Sequence, residues 1–490
     1  MKSYRKLEDI FKRVKDLESV VKLLEWDLAV LMPTRSLKYR SNQIILLKEL
    51  MHSILTDSAL GELIKAAKAE ELTPKQKARL HEMCLLHKNA IIVPACLMKD
   101  FSEASSECKV IWKEAREENN YKKLLPCFKR LVEIVRDIAS IRAQKLQVDN
   151  YDALIGLYSP ACGSEQMDVM FAKLGPFIRD FLKEVVAYQK KQKIYKISKN
   201  IYPVDKQREV ILACIKALGF DFNRGRVDRS LHPFFTSIAN EVRITTKYNE
   251  SNFFDSLRCT MHEVGHAIYE MNLSDEYYNR SNSPDIVTHE SIASLFGTQI
   301  CQSKEFINFV RPMFKKAFDG RGKAWEAENL HRLITRVNPA LVRINSDEIS
   351  YMAHVMLRYS LEREIIDGSL AIEDLPRAWE DGMKHYFGIA PKNNQDGCMQ
   401  DIHWFSGVFG YFPIYAVATV AAAQISSALE GNFSDILPKI AQGDLTGLLS
   451  WLKKDICGHE YPDVLKKVTG KDLDIEGYIS YLRSKYLDVS

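Results

Sequence analysis

Apolar side chains recur every three or four residues over most of the chain, the spacing that predicts amphipathic α-helices. The clearest stretch is residues 5–26, and the same period returns in five later segments, 41–55, 120–147, 165–192, 347–367 and 476–486. Segments with the composition of a β-strand are scarce. One segment rich in β-branched residues stands out, residues 242–248. The pattern therefore predicts a mainly α-helical protein with a small strand element near its middle.

No long Gly/Ser- or Pro-rich linker and no internal repeat divides the chain. We expect a single domain over residues 1–490, with an N-terminal helical part to about 230, chemical motifs over about 231–425 and further helices over about 426–490. The apolar stretch 410–424 is too short to cross a bilayer, so we expect a buried helix there. The N-terminus lacks the apolar run of a secretory signal.

Composition and charge exclude several classes of partner. Hydrophobic residues make up 46% and charged residues 27% of the 490 residues, which is ordinary for a folded protein. The 68 basic and 64 acidic side chains give a net charge of only +4, which argues against nucleic acid and anionic membranes as partners. Ten cysteines without a Cys-x-x-Cys pair indicate reduced thiols, so we expect a cytoplasmic protein without structural disulfides.

Residues 262–266 read His-Glu-Val-Gly-His. Side chains four apart lie on the same face of a helix, so His262 and His266 can bind one metal ion. Zinc at such a site keeps a water molecule whose pKa falls to about 7, and Glu263 is placed to take its proton and return it to a leaving amine. Apolar neighbours indicate a buried helix, where unpaired imidazoles would be costly. A metal site is therefore favoured over a chance pattern on a surface helix.

A catalytic zinc needs a third protein ligand. The extended pattern with glycine and a third histidine fails, because Tyr269 and Asn272 stand at those positions. The other common solution is a glutamate on the following helix, and we expect Glu290. Glu270 leaves the metal face of its helix, and His289 is either a supporting group behind the metal or helix surface. The connecting loop supplies three competing carboxylates: Asp275, Glu276 and Asp285.

Two further segments are candidates for substrate binding. Residues 242–248 are expected to form a sheet edge on which a peptide could add as a strand, with an ordinary core strand as the compatible alternative. Arg343 lies between apolar neighbours just before a helix that Asp347 could cap. Its guanidinium could bind a carboxylate through two hydrogen bonds or form a structural salt bridge.

The segment 397–415 is rich in glycine and aromatic residues. It holds His403, Tyr411 and Tyr415, hydrogen-bond donors that could stabilise the oxyanion of a tetrahedral intermediate. Aromatic packing is the simpler explanation for its other rings.

Five motifs in one order give the chain a family resemblance: VRITT at 242–246, HEVGH at 262–266, HES at 289–291, VRINSDE at 342–348, and QDIHW at 400–404 with FGYFPIY behind it. The chain resembles the carboxypeptidase Taq family of metallocarboxypeptidases, and weaker likeness extends over nearly its whole length. The resemblance implies a gluzincin-like helical peptidase with a deep active-site groove and a small β-sheet beside the HExxH helix. It also implies a homodimer with one divalent metal per chain, zinc first and cobalt as the alternative. Such an enzyme would release C-terminal amino acids from peptides with broad specificity but poorly when proline is terminal.

By the same resemblance, the metal ligands are His262, His266 and Glu290. The general acid/base is Glu263. The resemblance also assigns Arg343 and Arg243 to substrate binding and places His403, Tyr411 and Tyr415 beside the reacting groups. Three positions depart from the family's motifs without touching a metal ligand: Glu241, Ile292 and Ser346.

Two other functions remain open on the sequence alone. The chain could be a zinc oligopeptidase that cuts internal bonds, in which case Arg343 would not matter for cleavage. It could also be an inactive helical scaffold with a structural metal or none. Structural zinc fills all four coordination positions with protein ligands, and Cys259, three residues before His262, is the nearest candidate for a fourth.

Overall fold

The computed structural model describes residues 2–197, 201–273, 285–433, 435–459 and 461–487. Within these ranges, nine helices precede the first strand: α1 Lys2–Val30, α2 Leu37–Thr56, α3 Ser58–Lys68, α4 Pro74–Ile92, α5 Ala95–Glu117, α6 Tyr121–Leu146, α7 Asn150–Ile155, α8 Ser164–Lys191 and α9 Val204–Ala217. The predicted mainly helical class is confirmed. Each of the four N-terminal periodic segments, 5–26, 41–55, 120–147 and 165–192, falls on one of these helices.

Eleven more helices follow the strands in the described ranges: α10 Phe253–Asn272, α11 Ile286–Ser294, α12 Lys304–Ala317, α13 Ala327–Ile334, α14 Glu348–Asp367, α15 Leu375–Phe387, α16 Phe412–Asn432, α17 Ile436–Ala441, α18 Thr446–Trp451, α19 Asp463–Thr469 and α20 Ile475–Leu487. Helix α11 continues into a π-helical turn, and a second such turn follows α18: Leu295–Ile300 and Leu452–Ile456. Short 3₁₀ turns lie between helices at Thr34–Ser36, Lys323–Trp325, Arg343–Asn345, Ile372–Asp374 and Trp404–Ser406.

Three short strands form one small sheet: β1 Gly225–Arg229, β2 Phe235–Ile238 and β3 Glu241–Thr246. The order is β1-β3-β2, and β3 pairs parallel to β1 and antiparallel to β2. Because both sides of β3 are already paired, a peptide cannot add to it, and the prediction of a substrate-binding edge at 242–248 is wrong. The alternative, an ordinary core strand, is confirmed by the burial of Val242 and Ile244. β1 and β2 escaped prediction because both are short and mix charged or polar residues with few apolar ones.

Among the described residues, two large hydrophobic clusters and a small third one, formed by Ile92, Val93 and Ile138, hold the helices together. The larger of the two extends from α5 to α20 and includes the apolar face of α10, the helix that carries His262 and His266. The smaller one lies between α1, α3 and α4 and is formed by Tyr4, Leu7, Phe11, Leu60, Ile64, Ala67, Leu80 and Met83. The single-domain organisation with divisions near residues 230 and 425 stays a prediction.

Helix α16 carries the most apolar stretch of the chain. Its 21 residues make it, among the described residues, the one helix long and apolar enough to cross a membrane by length and composition. The helix is therefore longer than the 15-residue apolar stretch 410–424 from which it was predicted. However, 83% of its most apolar window is buried inside the protein, which is the behaviour of a core helix. The expected buried helix is confirmed.

Helices α10 and α11 approach each other closely at two glycines. A Cβ atom on Gly265 would lie 2.7 Å from Ala293 Cα and 2.9 Å from Ile292 O. A Cβ on Gly297, just beyond α11, would lie 2.9 Å from His262 Cβ. These distances are shorter than carbon contacts allow, so only glycine lets the two backbones meet. The approach places the His-Glu-Val-Gly-His turn against the segment that carries Glu290.

We predict that Gly265→Ala lowers the free energy of unfolding by about 1–3 kcal/mol, since the added methyl group overpacks the α10–α11 contact. Gly431→Ala is the matched control, because Gly431 also lies inside a helix, α16, but a Cβ atom added there would meet no atom within 4 Å apart from those of its chain neighbours and its own helix backbone. That control should gain about 0.5–1 kcal/mol from helix propensity. Chemical denaturation of both variants checks the contrast, and equal effects would contradict a glycine-dependent contact.

Candidate active site

The two helices that carry the proposed ligands each begin at a side-chain cap. Asn252 accepts a hydrogen bond from Phe254 N at 3.2 Å at the start of α10. Asp285 accepts one from Thr288 N at 2.9 Å at the start of α11. Such caps satisfy backbone N–H groups that the first helical turn leaves unpaired. They fix where each helix starts and hence which face each ligand occupies.

His262, His266 and Glu290 converge. Glu290 Oε2 lies 3.6 Å from His262 Nε2 and 3.9 Å from His266 Nε2. One nitrogen or oxygen atom from each of the three residues lies within 4.8 Å of the others. Tetrahedral ligands at about 2.0–2.2 Å from zinc are separated by about 3.3–3.6 Å. The predicted triad is thus assembled with nearly the spacing that one metal ion requires.

The donor atoms fit a cation. Glu290 Oε2, the oxygen facing both imidazoles, is buried without a hydrogen-bond partner among the described residues. Burial raises the pKa of Glu290 to about 7. Burial and the neighbouring His289 lower the pKa of His262 to about 4 and that of His266 well below its ordinary value, so both imidazoles are neutral. Neutral imidazoles beside an unpartnered carboxylate oxygen are the ligand states that a divalent metal needs.

The site is open on one side. The His262 side chain is 34% exposed, whereas His266 and Glu290 keep only 9% and 11% of theirs exposed. Cys259 does not belong to the ligand group found among the described residues. A three-residue site with an accessible flank is the arrangement of catalytic zinc, whereas structural zinc is closed by four ligands.

Glu263 lies inside the protein next to the triad, on α10 between His262 and His266. Burial, together with the Glu290 carboxylate, raises the pKa of Glu263 well above its ordinary value. A buried carboxyl group with a raised pKa can hold and release a proton near neutral pH, as a general acid/base must.

The competing carboxylates have other partners. Glu270 accepts a hydrogen bond from the ring of His289 at 3.2 Å, and Asp285 caps α11. Asp275 and Glu276 lie outside the described residues. Glu290 is therefore the carboxylate that meets both imidazoles in the described chain.

Arg343 sits in a buried cluster of charges near the triad. Its Nε and Nη2 bind the two oxygens of Asp401 at 3.2 and 3.0 Å, and its Nη1 donates to Tyr351 OH at 3.2 Å. Arg358 binds the same aspartate through Nε at 2.9 Å. Asp347 caps α14 by accepting from Ile349 N, as predicted. Arg343 thus forms a structural salt bridge with Asp401, while its binding of a substrate carboxylate stays a prediction.

The cluster carries a surplus positive charge, since two guanidinium groups share one carboxylate. Although burial acts the other way, Arg343 and Arg358 hold the pKa of Asp401 well below its ordinary value. The Asp401 carboxylate likewise outweighs burial and raises the pKa of Arg343. Burial lowers the pKa of Arg358 to about 10, which leaves it charged at neutral pH. Within these three residues the positive charges exceed the negative charge by one, and Arg343 still has N–H groups at its Nη1 and Nη2 ends to donate to an anion.

Tyrosines connect the charge cluster with the metal triad. Tyr411 OH donates to Glu290 Oε1 at 3.4 Å, and its ring lies 5.0 Å from that of Tyr415. The Tyr415 ring lies 6.1 Å from that of Tyr351, which contacts Arg343. The predicted Tyr411, Tyr415 and Arg343 thus belong to one continuous wall with the metal ligand Glu290.

His403 packs beside the tyrosines of this wall. Its ring lies 6.2 Å from Tyr411 and 4.7 Å from Phe412. Burial and the nearby Arg343 lower the pKa of His403 to about 4, so the ring is neutral. Its Nδ1 is buried and has no hydrogen-bond partner in the described part of the chain.

Arg243 is placed elsewhere. Its Nε donates to Glu241 at 2.6 Å, and its Cζ lies 4.1 Å from the ring centre of Trp26 on α1. Successive residues of a strand face opposite sides of the sheet. Thr246 faces α10, because it contacts Thr260 there, and Arg243, three positions earlier, lies on the opposite side. Arg243 therefore faces away from the metal helix, so the structure does not bring it to the triad as the substrate-binding assignment expected.

The remaining departures from the family's motifs pack without strain. Ile292 is fully buried beside Gly265. The Ser346 hydroxyl donates to Val342 O at 3.3 Å and so closes the turn that carries Arg343.

Three members of the charge cluster around Arg343 were not singled out from the sequence: Asp401, Arg358 and Tyr351. Asp401 stands in the QDIHW motif, and its charge beside a histidine was the available signal. Arg358 and Tyr351 lie inside an ordinary helical pattern, where nothing local marks them.

Comparison with known proteins decides the family. A family model described as carboxypeptidase Taq (M32) metallopeptidase matches residues 6–486. The chain belongs to this family. It is 30% identical to thermostable carboxypeptidase 1 of Thermus thermophilus over 99% of this chain and 98% of the relative. It is 29% identical to carboxypeptidase 1 of Bacillus subtilis, with 98% of this chain and 97% of that protein covered.

Among solved structures, Trypanosoma cruzi metallocarboxypeptidase 1 superposes with a TM-score of 0.95 at 32% identity, with 99% of each chain covered. As a member of the carboxypeptidase Taq family, the chain is a metallocarboxypeptidase, a peptide hydrolase that uses a divalent metal. The family membership predicted from the five motifs is confirmed, and the inactive-scaffold alternative loses its support.

We predict that the chain binds one divalent metal ion, and that Glu290→Gln weakens this binding more than about 100-fold, since even the outer partners of metal ligands are worth about 10–100-fold. The substitution keeps the shape but removes the charge that faces both imidazoles. Isothermal titration of metal-free protein with Zn²⁺ measures the change. Glu328→Gln is the control, because Glu328 is exposed and pairs only with Arg332 in the described chain. Equal affinities would exclude Glu290 as a ligand.

Proposed function

We propose that this enzyme removes single amino acids from peptide C-termini, with the terminal carboxylate held at Arg343 and the scissile bond at His262, His266 and Glu290. The observation that carries the proposal is the surplus positive charge of the Arg343–Arg358–Asp401 cluster. A buried charge without full compensation is costly, and a substrate carboxylate would compensate it. An internal peptide bond offers no such charge.

The distance between the two parts of the site supports an exopeptidase. The tyrosine wall joins Glu290 to Arg343 through three contacts: the hydrogen bond from Tyr411 to Glu290, the packing of Tyr411 on Tyr415, and the Arg343 guanidinium 5.8 Å from the Tyr415 ring centre. Arg343 is also close enough to Glu290 to lower its pKa against the effect of burial. The triad and Arg343 therefore lie along one wall of the same site, as the removal of a terminal residue requires.

The residues of this chain divide the chemistry between them. A divalent cation bound by the triad would supply a polarised carbonyl and a water molecule of lowered pKa. Glu263 accepts a proton from the attacking water and delivers it to the leaving amine. Tyr411 and Tyr415 present hydroxyl groups beside Glu290 and are the proposed donors to the developing oxyanion, while neutral His403 lines the same wall.

Several finer properties are proposed from the family resemblance. We infer that zinc is the metal, with cobalt as the alternative, and that the enzyme has broad specificity but acts poorly on terminal proline. We also infer a homodimer that acts on peptides in the cytoplasm, without nucleic-acid or membrane partners. The ten cysteines, all of which have free thiols, are in keeping with a reducing compartment.

We predict that Arg343→Ala lowers kcat/KM for a peptide with a free C-terminus about 30-fold or more, since losing one partner of a buried charge pair costs about 2 kcal/mol or more. The same peptide with an amidated C-terminus should be a poor substrate for the unaltered enzyme and should be affected little further by the substitution. Arg377→Ala serves as the control, because Arg377 is exposed on α15.

The oligopeptidase alternative predicts the opposite. If the amidated peptide were cleaved as fast as the free one, and Arg343→Ala left kcat/KM unchanged, the enzyme would cut internal bonds. Mass spectrometry of the products would then show fragments longer than one residue on both sides of the cut.

We predict that Glu263→Gln lowers kcat about 10²–10⁴-fold, because a neutral amide cannot accept the proton of the attacking water. Metal affinity should stay within about threefold of the unaltered enzyme, since Glu263 is not one of the three ligands. Steady-state kinetics with metal-saturated protein measures the loss. Undiminished hydrolysis would rule out Glu263 as the general acid/base.

A further inference from the structure

Three side chains form a line behind the metal triad. His266 Nδ1, on the side of the ring away from Glu290, lies 2.5 Å from His289 Nδ1. The other ring nitrogen of His289, Nε2, lies 3.2 Å from Glu270 Oε1. His266 and Glu270 are one turn apart on α10, whereas His289 comes from α11 and directly precedes Glu290. The line therefore crosses the α10–α11 contact twice.

One assignment of protons satisfies this line and leaves His266 able to bind a metal. The Nε2 atom of His266 faces Glu290 and must offer a lone pair, so the proton of the ring sits on Nδ1. That proton is donated to His289 Nδ1, which places the proton of His289 on Nε2. His289 Nε2 then donates to the Glu270 carboxylate, which can only accept.

The reverse assignment would disable the ligand. If His289 carried its proton on Nδ1, it would donate to His266 Nδ1, and the His266 proton would move to Nε2. It would then point toward Glu290 and occupy the position of the metal. Glu270 would also lose its donor. Glu270 therefore favours, through His289, the tautomer of His266 that binds metal, and a hydrogen bond between the His266 ring and the His289 backbone supports the same ring position.

The line is shielded from water. The side chains of His289 and Glu270 are only 13% and 8% exposed. The ring of Phe235 from β2 lies 5.5 Å from that of His266 and 5.1 Å from that of His289. The ring of Tyr269 lies 5.3 Å from His289 on another side. Because water has little access, the two residues could not easily be replaced as partners by solvent.

We propose that His289 and Glu270 are positioning residues that hold His266 as a metal ligand, through two hydrogen bonds in series. Metal-bound imidazoles usually donate directly to one carboxylate or carbonyl group. Here a second imidazole is inserted between ligand and carboxylate. The proposal rests on the metal binding proposed above and assigns a function to the histidine of the HES segment and to Glu270, which the hydrolytic chemistry does not use.

The test is a double-substitution cycle in the full-length, metal-free protein. We expect His289→Phe, which keeps a ring but removes both nitrogens, to weaken Zn²⁺ binding about 10–100-fold, and Glu270→Gln to weaken it in the same direction. Because Glu270 acts through His289, Glu270→Gln should have no further effect in the His289→Phe background. Competition with a chromophoric chelator measures the affinities, and circular dichroism shows that each variant is folded. Glu380→Gln is the control, because the Glu380 side chain is exposed on α15.

A second measurement reads the protons directly. In protein labelled with ring-¹⁵N histidine, two-bond ¹H–¹⁵N spectra should show His266 protonated at Nδ1 and His289 protonated at Nε2. Single-histidine substitutions assign the signals. Protonation of His289 at Nδ1 would overturn the proposal, as would affinities within twofold of the unaltered chain for both folded variants. Failure of the unaltered chain to bind Zn²⁺ or Co²⁺ would overturn the metal site itself and the proposal with it, so the two failures are distinguishable.

Discussion

The close contact between α10 and α11 is the constraint on which the site depends. Gly265 and Gly297 remove the methyl groups that would keep the two backbones apart. The contact brings His262 and His266 from one helix against Glu290 from the other, and it also joins His266 to His289. Because the ligands of one cation must lie within a few ångströms of one another, a wider contact between the two helices would separate them.

Burial sets the chemistry of the residues that this contact assembles. Desolvation keeps the imidazoles neutral and raises the pKa of Glu263 and of Glu290, so the site favours a cation at one end. At the other end, Arg343 and Arg358 exceed Asp401 by one positive charge, which favours an anion. A peptide C-terminus, with a polarisable carbonyl one residue from a carboxylate, matches this pair of sites. Complementary charge at these two points is the proposed basis for selecting a chain end.

Local patterns predicted what depends on local spacing. The three- and four-residue apolar period located helices such as α1 and α14 to within a few residues, and the four-residue separation of His262 and His266 placed both on one face. Strand order, in contrast, depends on pairing between distant segments, so the central position of β3 and the outward side of Arg243 could not be foreseen. The partners of Arg343 come from α14 and from the loop before α16, and no spacing rule links those segments. The role of His289 was left open for the same reason, since it depends on a contact with another helix.

A crystal structure of the metal-loaded Glu263→Gln protein with a bound dipeptide would show whether the metal triad and the anion site together select the C-terminal residue. We expect one metal ion on His262, His266 and Glu290, with the dipeptide carboxylate about 2.7–3.2 Å from Arg343 Nη1 or Tyr351 OH. The amide introduced by the substitution would then face the scissile bond. A carboxylate bound away from Arg343, or a peptide that continues past Arg343, would contradict this expectation.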